Sequence, residues 1–495
     1  MKAFKSAFFS LIVLLSLNTT ASAAPLFQEP PEILYVKQGE AGDCSSWEEA
    51  CDLQTAIGKL PDQIWVAAGT YIPTTTSDRS ISFEMESGLK IFGGFPADGG
   101  AWEDRNWELY PTILSGDLNG DDGENFTNNG ENSYHILTAT DVNRLAKLDG
   151  FIISGGNANG GSGESTSFGA GMYNINSSPT LTNLTFTGNF STYGGAGMYN
   201  FDNSSPTLIS VTLLGNKGGG MYNNKNSSPT LTDLSFTANT ERPGMTNQDN
   251  SNSTLKNVTF TGNTSGGMHN ENSSAILTNV LFAGNSAEYV GGGITNQGGS
   301  TILTNVSFIR NTAGLRGGGM YNAGNNTHPT LTNVTFSGNT AGQGGGIYND
   351  YSGSTLINVT FFNNAAFSGN GGALYNYSPQ VDASNLINTI LWENTPDQIF
   401  NEGSTLPDVS YSVIQGGYPG GTNIILDDPL LGPLADNGGF TQTHALLAGS
   451  SAIDTGDLAA CPETDQRGVR RPIGSGCDIG SYEFEPKIFL PMVIK

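Results

Sequence analysis

A twelve-residue pattern, SPTLTNLTFTGN at positions 178–189, occurs with changes nine times along the chain. Each copy is paired with a glycine-rich stretch of the type GGGMYN, and successive copies are 22 to 30 residues apart. Self-similarity at this period is typical of a solenoid, in which stacked coils bury one continuous core. The copies are centred on Leu181, Leu208, Leu231, Leu255, Leu277, Leu303, Leu331, Leu356 and Leu386.

Three positions of the repeat are asparagine in most copies. One copy shows them as Asn322 after the Met-Tyr pair, Asn333 two residues after the leucine, and Asn339 at the end of the TFxGN piece. Asparagine tolerates left-handed backbone and bonds to neighbouring backbone groups, so it favours corners. Three corners predict three short strands in each coil. Stacked copies ~4.8 Å apart would then form amide-to-amide ladders.

The residues between the corners alternate as strands do. Leu331, Val334 and Phe336 are apolar, and the methionine position of GGGMYN is apolar in all nine copies, so both sets are predicted to face inward. The next position is Tyr in six copies and Thr or His in the others, so we expect it to face outward. Glycine, asparagine, threonine and serine dominate, and all are poor helix formers.

These repeats resemble the right-handed parallel β-helix of the pectin-lyase-like class. More narrowly they resemble bacterial repeats of the polymorphic outer-membrane-protein type, which read GG(G)xYN and TLTNxTFxGN. The resemblance covers nearly the whole mature chain and implies an all-β fold with three-strand coils. It implies no particular activity, because one fold hosts many functions.

The chain is expected to divide into five segments. Residues 1–23 read as a secretory signal: Lys2 and Lys5 precede an apolar run, and Ala21-Ser22-Ala23 fits cleavage. The other predicted segments are an N-terminal cap with first coils (24–165), regular coils (166–395), C-terminal coils and cap (396–485) and a short apolar tail (486–495). No stretch reaches the ~20 apolar residues of a membrane span.

The N-terminal cap is predicted to contain one short helix. Ser46 to Glu49 match a capping box, and Ala50, Leu53, Ile57 and Leu60 would share one helical face. Such a helix would cover the open edge of the first coil. The stretch QIWVAAGTY, residues 63–71, reads as the first strand.

The C-terminal region resembles the choice-of-anchor Q tail of secreted bacterial proteins. The matching pieces are residues 427–457, DQRGVRRP (465–472) and CDIGSYEF (477–484). Several proteins with this tail carry a surface-anchoring device beyond it. Here the chain ends in PKIFLPMVIK, which is neither a sortase-type signal nor a spanning helix, so either a packed strand or a sorting tag fits it.

The four cysteines fall in two close pairs, Cys44 with Cys51 and Cys461 with Cys477. A metal site would favour tighter CxxC spacing and nearby histidines. We therefore expect one local disulfide in each terminal cap, formed in an oxidising compartment.

Charge is concentrated outside the regular coils. The formal net charge is −25, but residues 166–395 contain only 9 acidic and 6 basic residues. A charge repeated in every coil would face its own copy, and like charges directly opposite are destabilising. The absence of a basic stripe argues against a nucleic-acid partner. Charged caps discourage end-to-end joining, so we expect a monomer.

Recognisable catalytic strings are absent from the sequence. Enzymes on this fold usually need a carboxylate cluster, and the related galacturonan hydrolases resemble one another in NTD, DxD, GHG and RIK pieces. None of these strings occurs here, and the acidic residues of the coils are scattered over different coil positions. His269 and His328 lack a neighbouring carboxylate partner in sequence and are predicted to be surface residues. Two classes stay open: a non-catalytic surface protein that binds a glycan or partner, and a polysaccharide lyase or hydrolase with an unrecognised site.

Two sets of residues are candidates for binding. Asp117, Asn119 and Asp121 alternate oxygen ligands like the start of a calcium loop, although a solvated acidic turn explains them equally well. The outward aromatic column could bind sugar rings, or its rings could stack for stability. The column residues considered for binding are Tyr173, Tyr199, Tyr222, His269, Tyr321, Tyr348 and Tyr375.

Overall fold

The computed structural model describes residues 31–377, 384–403 and 405–486. The predicted signal (1–23) and nearly all of the apolar tail (486–495) lie outside these residues, so both stay predictions, as do the proposed segment boundaries. Within the described residues, no helix is long and apolar enough to cross a membrane.

Strands make up most of the regular structure. The first turns contain β1 Ile33–Val36, β2 Gln63–Ala67, β3 Gly69–Tyr71, β4 Phe83–Met85, β5 Lys90–Phe95, β6 Thr112–Ser115, β7 Leu137–Thr140, β8 Lys147–Ser154 and β9 Asn157–Ala158. The middle turns contain β10 Met172–Ile175, β11 Thr180–Thr187, β12 Phe190–Ser191, β13 Met198–Phe201, β14 Thr207–Leu214, β15 Met221–Asn224, β16 Thr230–Thr237, β17 Met245–Gln248, β18 Thr254–Thr261, β19 Met268–Glu271, β20 Ile276–Ala283, β21 Ser286–Ala287 and β22 Ile294–Gln297. The last turns contain β23 Ile302–Ile309, β24 Thr312–Arg316, β25 Met320–Ala323, β26 Thr330–Ser337, β27 Thr340–Gln343, β28 Ile347–Asp350, β29 Thr355–Phe362, β30 Ala365–Ala366, β31 Leu374–Tyr377, β32 Asn385–Ile387, β33 Ile390–Trp392, β34 Ile399–Glu402, β35 Asp408–Ile414, β36 Thr422–Ile425, β37 Leu431–Ala435 and β38 Thr443–Leu446.

These strands stack into a parallel β-solenoid of about 14 turns. Sheet A contains the leucine strands, from β1 and β2 through β11 and β29 to β35 and β36. Sheet B runs from β4 through β7, β10 and β28 to β34 and contains the Met-Tyr strands. A third, short ladder joins β21, β24, β27 and β30. Among the strand pairs described, only β37 with β38 is antiparallel.

The core is made of identical residues stacked one turn apart. Each leucine of the repeat pairs in register with the next, as Leu303 does with Leu331, and each is 0% exposed. Phenylalanine rings of sheet A stack with centroids 4.5–5.0 Å apart and planes within 10° of parallel, from Phe236 through Phe260, Phe282, Phe308 and Phe336 to Phe361. The methionine position of sheet B is buried throughout, as predicted.

Two asparagine columns form the predicted ladders inside the coil. The amide Nδ2 of Asn339 donates to Oδ1 of Asn364 at 2.9 Å, and Asn311 Nδ2 donates to Asn339 Oδ1 at 3.0 Å. Asn322 Nδ2 donates to Asn349 Oδ1 at 2.8 Å in the second column. Both columns are almost fully buried, so each amide depends on its neighbours for its hydrogen bonds.

Only one of the three asparagine positions is a left-handed corner. Asn333 and its equivalents have φ near +55°, where sheet A bends within its long strands. The column of Asn322 lies inside sheet B strands, and the column of Asn339 follows a left-handed residue such as Gly338 (φ +66°). The prediction that all three are corners is therefore wrong for Asn322, whose side chain points inward like that of Met320 two residues before it.

The N-terminal helix is shorter than predicted. Helix α1 spans Leu53–Gly58, and Asp52, not Ser46, caps it by accepting from the backbone N–H of Thr55 at 2.9 Å. Leu60 is 62% exposed with φ +54°, so it leaves the helical face. The disulfide between Cys44 and Cys51 closes the preceding segment into a tight loop, which excludes an earlier helix start. The first strand is β1 rather than residues 63–71.

The C-terminal region folds back along the outer face of sheet A. Gln466 Nε2 donates to Ser307 Oγ at 2.7 Å, and Asn358 Nδ2 donates to the carbonyl oxygen of Asp478 at 2.8 Å. The second predicted disulfide, Cys461 with Cys477, closes this returning segment. Both predicted disulfides are confirmed.

Removing one amide from the ladder should destabilise the solenoid. Asn339→Ala deletes the bonds to Asn364 and to the carbonyl oxygen of Phe308 and leaves Asn311 short of an acceptor. A loss of about 1–3 kcal/mol in the free energy of unfolding is expected from the buried partners left unpaired. Denaturant melts would measure it. The control Asn325→Ala, in an exposed turn, should change stability by less than about 0.5 kcal/mol. Equal losses for both variants would contradict the ladder.

Candidate functional site in the tyrosine column

The predicted aromatic column exists, but most of its rings are covered. Tyr199, Tyr321, Tyr348 and Tyr375 are 2–7% exposed, and Tyr173 and Tyr222 are half-buried. The tyrosine position was expected to face outward, but neighbouring turns cover these four rings. Glycine lets the turn close over the ring: a Cβ on Gly344 would lie 2.8 Å from the Cβ of Tyr348.

The three tyrosines at the C-terminal end form a closed cluster. Tyr348 stacks on Tyr375 with ring centroids 4.6 Å apart, and Arg316 lies 4.9 Å from the Tyr348 centroid. Tyr321 donates its hydroxyl hydrogen bond to Asp350 at 2.8 Å, and Arg316 pairs with the same carboxylate at 3.1 Å. Burial raises the pKa of Tyr321 to about 12. These contacts fit the interpretation in which the rings stack for stability.

A second aromatic group lies at the N-terminal end of the column. Phe168 stacks on Tyr199 with centroids 4.7 Å apart, and Tyr222 meets Tyr199 edge-on at 5.1 Å. Tyr173 contacts both Tyr199 and His135. Tyr222 is the last ring of this group, and the side of it away from Tyr199 faces the next turns of the solenoid.

Between the two groups the column is interrupted. Strand pairing places Thr246, His269 and Thr295 in the turns between Tyr222 and Tyr321. Because Thr246 lacks a ring, a pocket of about 230 Å³ opens beside Tyr222. Its wall includes Tyr193 and Tyr222 and the tight glycine turns 194–195 and 218–219.

The remaining wall of the pocket is polar and was missed by sequence reasoning. Arg242, Gln248 and Glu271 surround the opening, together with His269. Tyr222 donates a short hydrogen bond to the side-chain oxygen of Gln248. Gln248 and Glu271 each lie two residues after the tyrosine-column position of their strand. Their side chains therefore point to the same face of sheet B as that column. That spacing was the signal available in the sequence.

His269 is not the freely exposed histidine that was predicted. Burial lowers its pKa to about 4, so the imidazole is neutral near pH 7. Burial also raises the pKa of Tyr222, with Glu271 and Asp249 adding to the effect. The pocket therefore offers neutral hydrogen-bonding groups beside one cation, Arg242, and one carboxylate.

The predicted calcium loop brings two of its aspartates together with a third carboxylate. Carboxylate oxygens of Asp117, Asp121 and Glu131 lie within 4.8 Å of one another, and Asn119 is exposed. Asp117 already accepts from the backbone N–H groups of Gly120 at 2.7 Å and Asp122 at 3.2 Å. The Asp117 carboxylate is thus satisfied by the backbone of its own turn, whereas Oε1 of Glu131 is buried without a hydrogen-bond partner. Calcium binding stays a prediction.

Two kinds of comparison relate the chain to known proteins. Residues 333–350 and 358–377 match the Chlamydia polymorphic membrane protein repeat. Similar solved structures include the pectate lyase Pel9A (13% identity, TM-score 0.39, covering 92% of this chain and 96% of that one). They also include an α-1,3-glucanase catalytic unit from Streptomyces thermodiastaticus (12%, 0.45, 80% and 69%) and PfbA, a surface adhesin of Streptococcus pneumoniae (12%, 0.34, 79% and 93%).

No curated protein matches the chain in sequence. At such low identity and TM-score the structural likenesses carry no argument about activity. The strand pairing and the repeats together define the class: the chain is a parallel β-helix repeat protein.

Opening the closed tyrosine cluster should cost stability. Tyr348→Thr removes a ring that is 2% exposed and stacked on Tyr375, so we expect a loss of about 2–4 kcal/mol in the free energy of unfolding. The control Tyr351→Asn changes a residue that is 41% exposed at φ +52°, a conformation asparagine tolerates. Urea melts should show little change for the control. An unaffected Tyr348→Thr variant would contradict a stabilising stack.

The neutral His269 should make stability depend on pH. Its folded pKa, about 4, lies below the unfolded value near 6.5. The unfolded chain therefore binds the proton more tightly, and the histidine's contribution, complete above about pH 6.5, is lost as pH falls toward 4. In the variant His269→Thr, which places there the residue found at positions 246 and 295, the free energy of unfolding should fall less steeply over this pH range. Parallel curves of unfolding free energy against pH would refute it.

Proposed function

We propose that this chain is a non-catalytic secreted or cell-surface protein that binds a glycan through the pocket beside Tyr222. The observation that carries the proposal is the interruption of the aromatic column at Thr246, which exposes one side of the Tyr222 ring within a polar wall. Protein sites for small ligands combine apolar surface with a few placed polar groups, and this pocket has both.

The chemistry of the wall matches a sugar. The tyrosine rings supply flat apolar faces for the C–H side of a pyranose. Sugar hydroxyls both donate and accept, and the wall supplies donors in Arg242 and acceptors in Glu271 and Gln248. At about 230 Å³ the pocket is smaller than the ~300–1,000 Å³ of drug-sized sites, which favours one sugar unit of a chain.

The wall is also rigid before any ligand arrives. Thr246 and His269 lie on adjacent parallel strands paired in register, and those strands belong to the continuous sheet B. Groups held on paired strands lose little freedom on binding, so less of the interaction energy is spent on ordering them.

The alternative function is a polysaccharide lyase or hydrolase. Hydrolysis of a glycosidic bond generally uses two carboxyl groups about 5–9.5 Å apart. Glu271 is the single carboxylate among the residues that line this pocket. Binding without cleavage is therefore the better supported function of this site. Release of reducing ends or unsaturated products from a bound polysaccharide would favour the enzyme instead.

A location outside the cytoplasm fits three observations. Two disulfides close the terminal regions, and such bonds persist in oxidising compartments. Residues 1–23 carry the predicted export signal. Residues 333–350 and 358–377 match the repeat of the Chlamydia polymorphic membrane protein family.

Filling the gap in the column should abolish binding. Thr246→Tyr places a ring where other turns carry one, so the fold should accept it while the pocket closes. On a glycan array we expect the signal of any bound glycan to fall at least about tenfold, which corresponds to ~1.4 kcal/mol.

The matched control is Thr246→Val, which keeps the size of the side chain and leaves the pocket open. It should retain binding within about threefold, since it removes one hydroxyl. Thermal melts of both variants would show that folding is intact. Undiminished binding by a folded Thr246→Tyr variant would move the site elsewhere on the molecule.

A further inference from the structure

A second aromatic surface lies on the outer face of the first turns, on sheet A rather than sheet B. Four of the five tryptophans of the chain fall in residues 47–107. Trp65 stacks on Phe95 with ring centroids 4.9 Å apart and planes 13° apart. Trp102 lies 5.5 Å from Trp65 and meets Phe92 edge-on at 5.0 Å. Trp102 nevertheless stays 43% exposed.

Two lysines lie beside these rings in an unusual arrangement. Lys90 on β5 and Lys147 on β8 are direct partners in the parallel ladder, so like charges face each other. Such a pair is destabilising unless an anion offsets it. Among the described residues Lys90 has no salt-bridge partner, and the Lys90 side chain is exposed.

The ion-pair cluster beside these rings has more positive than negative groups, although the protein is strongly acidic. Asp149 pairs with Arg105 at 2.6 Å and with Lys147 at 2.8 Å, so one carboxylate serves two cations. These contacts outweigh the effect of burial and lower the pKa of Asp149 to about 2. With Lys90 added, three positive groups share one negative group, while the whole chain has a formal charge of −25.

The rings and the lysines line one open groove of about 520 Å³. Its lining combines aromatic rings and cations with smaller groups: Trp65, Phe92, Trp102, Lys90, Lys147, Gln63, Ile33 and Pro31. No carboxylate is among the residues that line it. Trp65 Nε1 donates to Gln63 Oε1 at 3.1 Å, which fixes the ring against the strand.

We propose that this groove binds an acidic saccharide, that is, a sugar chain whose rings bear a carboxylate or a sulfate. The indole faces stack on the apolar side of the sugar ring, and the two lysines neutralise its anionic group. A bound anion relieves the repulsion between Lys90 and Lys147. The like-charged pair in the free protein therefore favours anion binding. This site is independent of the pocket beside Tyr222.

The ligand class can be tested with one polymer in three forms. Unmodified dextran, carboxymethyl-dextran and dextran sulfate share a backbone and differ in charge, and polyglutamate supplies negative charge without sugar. Calorimetry on the full chain should show binding of at least one charged dextran, at least about tenfold tighter than neutral dextran. Which charged form binds identifies the anionic group. Higher salt should weaken this binding.

Variants assign the binding to the groove. Lys90→Gln and Trp102→Ala change exposed side chains, and each should weaken charged-dextran binding about tenfold in a chain that stays folded. Lys90→Gln should melt no lower than the wild type, because it removes the repulsion with Lys147. Lys256→Gln is the matched control, because Lys256 is an exposed lysine on the same sheet several turns away. It should bind like the wild type, and so should Thr246→Tyr, which separates this site from the proposed glycan pocket.

Four results would overturn the proposal. They are absence of binding to both charged dextrans, equal binding of neutral dextran, equal binding of polyglutamate, and an equal loss in Lys256→Gln. Residues 24–30 directly precede Pro31 at the groove. Binding that appears only after these residues are deleted would assign the groove to the chain's own N-terminal segment instead.

Discussion

The stacked asparagine amides impose the constraint on which this solenoid depends. Each buried amide depends on the same residue one turn away, and in the Asn339 column also on a backbone carbonyl oxygen such as that of Phe308. An unpaired buried group costs ~1–3 kcal/mol. The ends of the ladders show the rule. Asn174 follows a turn with Ala139 at the equivalent position, and its Oδ1 is buried without a hydrogen-bond partner. At the other end, Tyr418 accepts from Asn401 at 3.3 Å and closes the ladder.

The same stacking explains where charge is placed. Any residue on a strand faces its copies about 4.8 Å away, so a charged column would repel itself along the whole rod. The regular coils therefore carry few charges, and ion pairs between turns join Arg316 with Asp350 and Lys217 with Glu241. Most charge lies in the terminal regions, where buried ion pairs such as Arg467 with Asp465 hold the returning C-terminal segment together.

The interior of this protein could be predicted from sequence because one repeat determines its neighbours. Leucine, methionine and phenylalanine columns follow from alternation within a strand and from the period between coils. The outer surface could not, because its burial depends on turns and segments distant in sequence. Tyr348 is covered by a glycine turn, and Thr335 by Gln466, 131 residues away. The pocket was missed for a related reason: Arg242 comes from a variable turn, and no repeat marks its position.

Both proposed sites lie where the sequence departs from the repeat rules. Thr246 begins the interruption of the aromatic column, and Lys90 opposite Lys147 breaks the rule against like charges in register. A stacked fold gains stability from uniform columns, so each departure costs stability locally and needs a compensating gain. An exposed ring face beside Tyr222 and an unpaired lysine beside Trp102 are surfaces that a ligand can complete. In a solenoid of near-identical coils, a surface that repeats every turn gives a ligand no single preferred position. Binding specificity can therefore arise only from such exceptions.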